Sequence, residues 1–292
     1  MLEIFSSLLS GFLDHVINDV RGSVAGYAET YLLSTHDLSR GGAQALTSDP
    51  ALQAMYHLTL GISDALLVLV YVWAFLRSMW ERGFRPHYTL KVMLPRTMAA
   101  IALAHFGLLF GQMAIDLNNV LVHAAWTTPL QTGPGPAAAF PWHFALDNPF
   151  GFPLFQLAVR LAIVVMISIL ALTYVIRFAL LSVLLAIAPL AALCLILPET
   201  KNYARSWTRL FLITVFMQFV QVLILRFASL FSSDLSGSVM QALYGLAILY
   251  LVLKVPGLMN ASAHLESKAQ HLAESTAKRA IKTAVGTHRA GS

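Results

Sequence analysis

Long apolar runs separated by short polar segments restrict the fold of this chain more than any other feature of its sequence. A helix of about 20 apolar residues spans the hydrocarbon core of a bilayer, and it satisfies its backbone polar groups internally. Only 11% of the residues are charged, whereas soluble domains carry about 25%. The sequence therefore predicts an all-α, polytopic membrane protein with about five full spans. These spans fall near 58–80, 94–117, 153–176, 210–231 and 239–258.

A further apolar stretch, residues 178–197, contains Pro189. Proline removes a backbone donor and breaks or kinks a helix, so we expect a helix break near Pro189. The stretch is long enough to cross the bilayer. It can also enter and return to the same side as a re-entrant segment, provided that protein shields its irregular backbone.

The positions of basic residues favour the re-entrant alternative, because lysine and arginine concentrate in cytoplasmic loops. If residues 178–197 return to the side they came from, the outer segments 1–57, 118–152 and 232–238 hold only Arg21 and Arg40. The basic residues of the inner segments, Arg177 among them, and those of the C-terminal tail then face the cytoplasm. We therefore expect the N-terminus outside the cell membrane and the C-terminus in the cytoplasm.

The same reading divides the chain into three regions. Residues 1–57 form an extracytoplasmic region that begins with an amphipathic helix at 2–20. Residues 58–258 form the transmembrane domain, with an extracytoplasmic loop at 118–152. Residues 259–292 form a basic, alanine-rich helical tail on the cytoplasmic side.

Catalytic chemistry has little support in the sequence. We find no zinc-protease motif, no nucleophile elbow and no phosphate-binding loop, and the histidines do not cluster. Cys194 is the single cysteine, so neither an intrachain disulfide nor a cysteine metal site can form. We expect no enzyme activity, no cofactor and no metal site.

Polar residues inside the spans are better candidates for function, because they are costly in lipid. They are Arg160, Gln218, Gln221, Arg226 and Asp116. In one interpretation they line a conduit or lie buried between subunits. In the other, the arginines extend to the interface, or Arg226 pairs with Asp116 inside the protein.

Two short motifs resemble a known family. The first has Leu185, Ala186, Pro189 and Leu190 in an apolar run, followed by a polar turn that contains Thr200. A tryptophan, Trp207, then precedes a new span. The second motif is the junction leading into the span near 94–117; its residues are Lys91, Pro95 and Arg96. In this order the motifs resemble the TrbL-like polytopic subunit of type IV secretion and conjugation machines, across roughly residues 50–260.

The resemblance implies an oligomeric subunit of the bacterial inner membrane that supports pilus assembly and lies near the path of the transferred DNA or protein. It implies pilin and separate secretion ATPases as partners, and single-stranded DNA or protein in transit. A small-solute transporter or channel remains the alternative. Transporters commonly carry paired broken helices, whereas this sequence indicates one break.

Overall fold

A computed structural model describes residues 11, 12, 15, 35, 45–80, 86–127, 153–196, 200–232, 240, 243–259 and 261. The regular secondary structure of these residues is helical, which confirms the predicted fold class. The chain divides into two compact units, Met1–Leu253 and Lys254–Ser292. The contacts described below belong to the first unit.

The helices begin where the sequence supplies helix-starting residues. A 3-10 turn at Leu46–Ser48 precedes the first helix, and the Asp49 carboxylate accepts a hydrogen bond from the Ala51 amide at 3.0 Å. Proline is the first residue of three helices, a position where its missing amide costs nothing. The helices are α1 (Pro50–Trp80), α2 (Pro86–His105), α3 (Gly107–Thr127), α4 (Pro153–Ala186), α5 (Ala188–Leu193), α6 (Lys201–Ser232) and α7 (Leu243–Met259).

Three of these helices are long and apolar enough to cross a membrane, over Pro50–Trp73, Leu161–Ala186 and Lys201–Ala228. A bent pair, Pro95–His105 with Gly107–Thr127, gives a fourth span if it is counted as one. Helix α7 is apolar but shorter. The polytopic character is therefore confirmed, with three to four candidate spans among the described residues where the sequence indicated about five.

The prediction of one continuous span at 94–117 is wrong. Helices α2 and α3 meet at a 70° bend around Phe106. Gly107 lies against α1 at this bend, where an added Cβ would come within 2.7 Å of the Tyr56 hydroxyl. Helix α2 also starts earlier than predicted, so Lys91 is helical and not part of a loop. Helix α3 extends to Thr127, so the first ten residues of the expected loop 118–152 are helical.

The predicted boundary between residues 176 and 178 is also wrong. Helix α4 continues for 34 residues to Ala186, a length of about 50 Å at 1.5 Å per residue. Arg177, which the charge count placed in an inner loop, is therefore in the interior of a helix. The predicted break near Pro189 is present: Ile187 separates α4 from α5 with φ −90° and ψ 3°.

Two apolar clusters form the core, and the same three helices contribute to both. One cluster contains Val122 of α3, Tyr174 of α4 and Val222 of α6, together with residues of α7. The other contains Ile115, Leu181 and Val215 of these helices, together with Leu46 and Leu52. On each helix the residues between the two clusters include a buried polar side chain. These are Asn118, Arg177 and Gln218.

The amphipathic helix expected at 2–20 lies outside the described residues, apart from residues 11, 12 and 15. Most of the expected loop 118–152 and nearly all of the basic tail also lie outside them. The three-region division and the sidedness of the termini remain predictions.

Candidate functional site

A buried polar layer crosses the helix bundle between its two apolar clusters. Its central residues are Asn118 of α3, Arg177 of α4 and Gln218 of α6, with exposed fractions of 0%, 4% and 0%. Each lies about one helical turn from apolar core residues on either side. Polar groups buried this deeply destabilise a fold unless they are hydrogen-bonded.

The guanidinium of Arg177 is held by oxygen atoms of α6 and of the segment before α1. Its Nε donates to the Thr214 carbonyl at 2.8 Å, and Nη2 donates to the Val215 carbonyl at 3.2 Å. Nη2 also donates to the Thr35 hydroxyl at 3.2 Å. Within the described residues no carboxylate pairs with Arg177. Each of these three acceptors is a neutral dipole.

Thr35 connects the segment that precedes α1 to this layer. Its hydroxyl accepts from Arg177 and donates to Gln218 Oε1 at 2.9 Å. Its backbone amide donates to Asn119 Oδ1 at 3.1 Å. Asn118 Nδ2 donates to the same Gln218 oxygen at 3.0 Å. Thr35, which precedes the first span in the sequence, is thus hydrogen-bonded to three helices of the bundle, α3, α4 and α6.

Three buried oxygen atoms nearby have no hydrogen-bond partner in the described part of the chain. They are Asn118 Oδ1, the Tyr174 hydroxyl and Gln221 Oε1. Tyr174 precedes Arg177 by about one turn of α4, which places these groups around the same layer. Buried polar atoms without a partner are uncommon in folded proteins, so these three mark the layer as unusual. The described residues contain no group of three His, Cys, Asp or Glu that could hold a metal ion.

A second polar feature lies where the bend between α2 and α3 meets the break between α4 and α5. Both irregularities contact one stripe of α1, formed by Tyr56, Thr59 and Ser63. The Tyr56 hydroxyl donates to the carbonyl of Ala104, next to the bend. The hydroxyls of Thr59 and Ser63 donate to the carbonyls of Ala186 and Pro189, the second at 3.0 Å.

The bond from Thr59 compensates for the helix break. In a continuous helix the Ala186 carbonyl would accept from the Leu190 amide, but that amide bonds to the Ile187 carbonyl at 3.1 Å instead. The Thr59 hydroxyl donates to the Ala186 carbonyl in its place. A side-chain hydroxyl of α1 therefore replaces the backbone amide donor that the Ala186 carbonyl lacks at the break.

The first sequence motif builds the same region. Trp207 Nε1 donates to the Leu184 carbonyl at 3.1 Å, and the Thr200 hydroxyl donates to the Cys194 carbonyl at 2.9 Å. Leu185 is 1% exposed and packs against α3 at Gly111. A Cβ added to Gly111 would overlap the Leu185 side chain. The motif residues thus fix the break, the short helix α5 and the start of α6.

The candidate residues from the sequence do not form one site. Gln218 and Gln221 are fully buried within a single chain, so their burial does not require a neighbouring subunit. Arg226 is also buried, at 7% exposed. Asp116 is exposed, and its carboxylate accepts from Gln112 Nε2 at 2.7 Å. Arg160 immediately precedes the candidate span Leu161–Ala186, and its side chain lies outside the described residues.

Sequence reasoning missed Arg177, Asn118 and Thr35. Arg177 separates two apolar runs, a pattern that predicts the end of a span, and Asn118 lies one residue beyond the predicted end of another. Apolar residues at 163, 167, 170, 174, 181 and 184 keep the helical spacing on both sides of Arg177, and this was the signal that α4 continues.

Comparison with known proteins places both motifs in one family. The family described as TrbL/VirB6 plasmid conjugal transfer like protein matches residues 50–292. No curated protein and no solved structure matches the chain. The matched residues include helices α1 to α7, the helix break and both motifs. The chain therefore belongs to the TrbL/VirB6 family and is a membrane subunit of a conjugal transfer system.

Proposed function

We propose that this subunit forms an oligomeric base in the bacterial inner membrane, on which a pilus is assembled and through which the transferred DNA or protein passes. The observation that carries the proposal is the family match along residues 50–292 of a chain whose described residues include three membrane-length helices. The helix break and its capping by α1 support a scaffold role, because such backbone has to be shielded from lipid by protein.

The proposed partners are further copies of the chain, the pilin and separate secretion ATPases, with single-stranded DNA or protein in transit. The sequence carries no phosphate-binding loop, so we assign the energy supply to the ATPases. The N-terminus is proposed to lie outside the membrane and the C-terminus in the cytoplasm. A reporter active only in the cytoplasm, fused after Ser292, tests this orientation.

Deletion and complementation test the function directly. In a strain that carries the conjugative element encoding this chain, deletion of its gene should lower transfer frequency by several orders of magnitude. It should also abolish the pilus, while the secretion ATPases remain at normal levels. The wild-type gene in trans should restore both. Unchanged transfer in the deletion strain would overturn the proposal.

Polar residues at or near the spans are the proposed subunit-contact or conduit-lining positions. Asp116 is exposed, which fits either role. Asp116→Asn and Arg160→Ala should lower transfer while the protein still accumulates in the membrane. Leu117→Ala, a substitution at an exposed apolar neighbour, is the matched control and should transfer normally.

One observation favours a transporter-like alternative. The sequence indicated a single break, but the bend at Phe106 supplies a second, and both contact α1. Paired broken helices are typical of secondary transporters. Uptake of amino acids or sugars by vesicles that contain only this protein, together with normal transfer in the deletion strain, would favour the alternative.

A further inference from the structure

Thr35 lies at mid-span of the helices to which it is bonded, although it precedes the first span in the chain. Its hydroxyl accepts from Arg177 of α4, whose guanidinium also binds the carbonyls of residues 214 and 215 of α6. The candidate span Lys201–Ala228 has its midpoint between those two residues. Arg177 is likewise about one turn from the midpoint of the candidate span Leu161–Ala186. The chain before α1 therefore reaches the mid-depth of these helices.

The 3-10 turn Leu46–Ser48 is a second point at which the chain before α1 contacts the same helices. Leu46 is 1% exposed and belongs to the apolar cluster built by α3, α4 and α6. The turn's threonine hydroxyl donates to Gln112 Oε1 of α3 at 2.8 Å. Gln112 lies about two helical turns before Asn119, the residue of α3 that accepts from the Thr35 amide. The two contact points thus lie along one side of α3.

Thr35 satisfies groups of the polar layer that lipid cannot satisfy. It is itself 5% exposed, and its three hydrogen bonds go to Arg177, Gln218 and Asn119. Without Thr35, the acceptors left to Arg177 are backbone carbonyls of α6, and two amide oxygens each lose a donor. Polar groups at mid-span are stable only beside protein or water. Water would therefore have to enter the layer where Thr35 is removed.

We propose that the chain before α1 is a strap that closes the polar layer to water at the mid-depth of the membrane domain. The strap is defined by its two contact points, Thr35 and Leu46–Ser48, and Thr35 fastens it to the layer. The family match begins at residue 50, so the family assignment does not cover the strap. The sequence predicted residues 1–57 outside the membrane. The proposal moves Thr35 to mid-depth and leaves the proposed orientation of the termini unchanged.

Substitution of Thr35 tests the strap in the full-length chain. Thr35→Pro removes both the hydroxyl and the amide hydrogen, and with them all three hydrogen bonds. Thr35→Ser keeps these groups and is the matched control. We expect Thr35→Pro to lower the melting temperature of the detergent-solubilised protein by about 5 °C or more. Thr35→Ser should change it little.

A thiol beside Thr35 reports whether water reaches the layer. The single cysteine is first removed as Cys194→Ala, and Asn119→Cys is then introduced. Native membranes are treated from either side with a charged, membrane-impermeant thiol reagent. We expect labelling of Asn119→Cys when it is combined with Thr35→Pro, and none when Thr35 or Thr35→Ser is present. Leu117→Cys is the control, because residue 117 is an exposed apolar position about 160° around α3, and it should remain unlabelled throughout.

Two results overturn the proposal. Labelling of Asn119→Cys with Thr35 in place would show that the layer is already open to water. Wild-type melting of Thr35→Pro, without labelling of Asn119→Cys, would show that the strap closes nothing. If Thr35→Pro does not accumulate, or if Leu117→Cys is also labelled in it, Thr35→Val replaces it and is read in the same way, because it loses only the hydroxyl. Either refuting result in a strain that still transfers its plasmid would remove the strap but leave the proposed function intact.

Discussion

Arg177 offers the sharpest test of the buried polar layer. Its three hydrogen bonds, to Thr214, Val215 and Thr35, are worth about 1.5 kcal/mol each as charge-assisted bonds, or roughly 4 to 5 kcal/mol in sum. Burying the charge costs several kcal/mol in return. The substitution Arg177→Met removes both contributions and keeps most of the volume. We therefore expect it to lower the free energy of unfolding by about 1 to 3 kcal/mol.

The sign of the charge should matter more than the loss of the bonds. Arg177→Glu places an anion among the carbonyl oxygens of α6, so we expect a loss of about 5 kcal/mol or more, or no accumulation. Arg177→Lys keeps the charge but cannot reach three acceptors with one ammonium group, and its loss should lie near that of Arg177→Met. Arg205→Met, at an exposed position of α6, is the control and should change little.

The measurement is thermal unfolding of the detergent-solubilised protein, followed by fluorescence-detected gel filtration. If Arg177→Met unfolds at the wild-type temperature, the three hydrogen bonds make no net contribution to the free energy of unfolding. The stabilising role assigned to Arg177 is then refuted. If Arg177→Glu is no worse than Arg177→Met, the layer is not selective for a cation.

The remaining predictions concern the helix breaks. Gly111→Ala should lower the free energy of unfolding by about 1 to 3 kcal/mol, because the added methyl group overlaps the buried Leu185 side chain. The double variant Gly111→Ala with Leu185→Ala should lose less stability than the two single variants combined. Strictly additive shifts in melting temperature would contradict this. Trp207→Phe keeps an aromatic ring but loses the bond to the Leu184 carbonyl, so we expect a loss of about 1 kcal/mol, with unchanged melting as the refuting result. Thr59→Val leaves the Ala186 carbonyl without its side-chain donor, which should cost about 1 to 3 kcal/mol. Ser168→Ala, whose hydroxyl bonds only within its own helix, is the control for Thr59→Val, and an equal effect of the two would count against capping of the break.

The class of fold, one helix break and the family could be predicted from the sequence because their signals are local. Apolar run length predicts spans, and Pro189 predicts a break, without knowledge of any distant contact. The bend at Phe106 has no proline. It lies where Tyr56 and Gly107 of separate helices come together, a contact that no short window of sequence contains.

The candidate site was harder to predict for the same reason. Arg177 can remain inside a span because its acceptors lie in α6, 37 and 38 residues further along the chain. Read locally, an arginine between two apolar runs predicts a loop, and this error moved the end of the third span. Gln218 was recognised as unusual from its position, but its partner Thr35 lies 183 residues away.

The capping of the break by α1 also has a consequence for the order in which the protein is made. The Thr59 and Ser63 hydroxyls meet carbonyls that lie 127 and 126 residues later in the chain. Helix α1 is translated before the segment around Ile187, so the donors exist before the carbonyls that they bind. We therefore expect a chain in which α1 is displaced to leave these carbonyls unpaired during insertion and to become a substrate for membrane proteases.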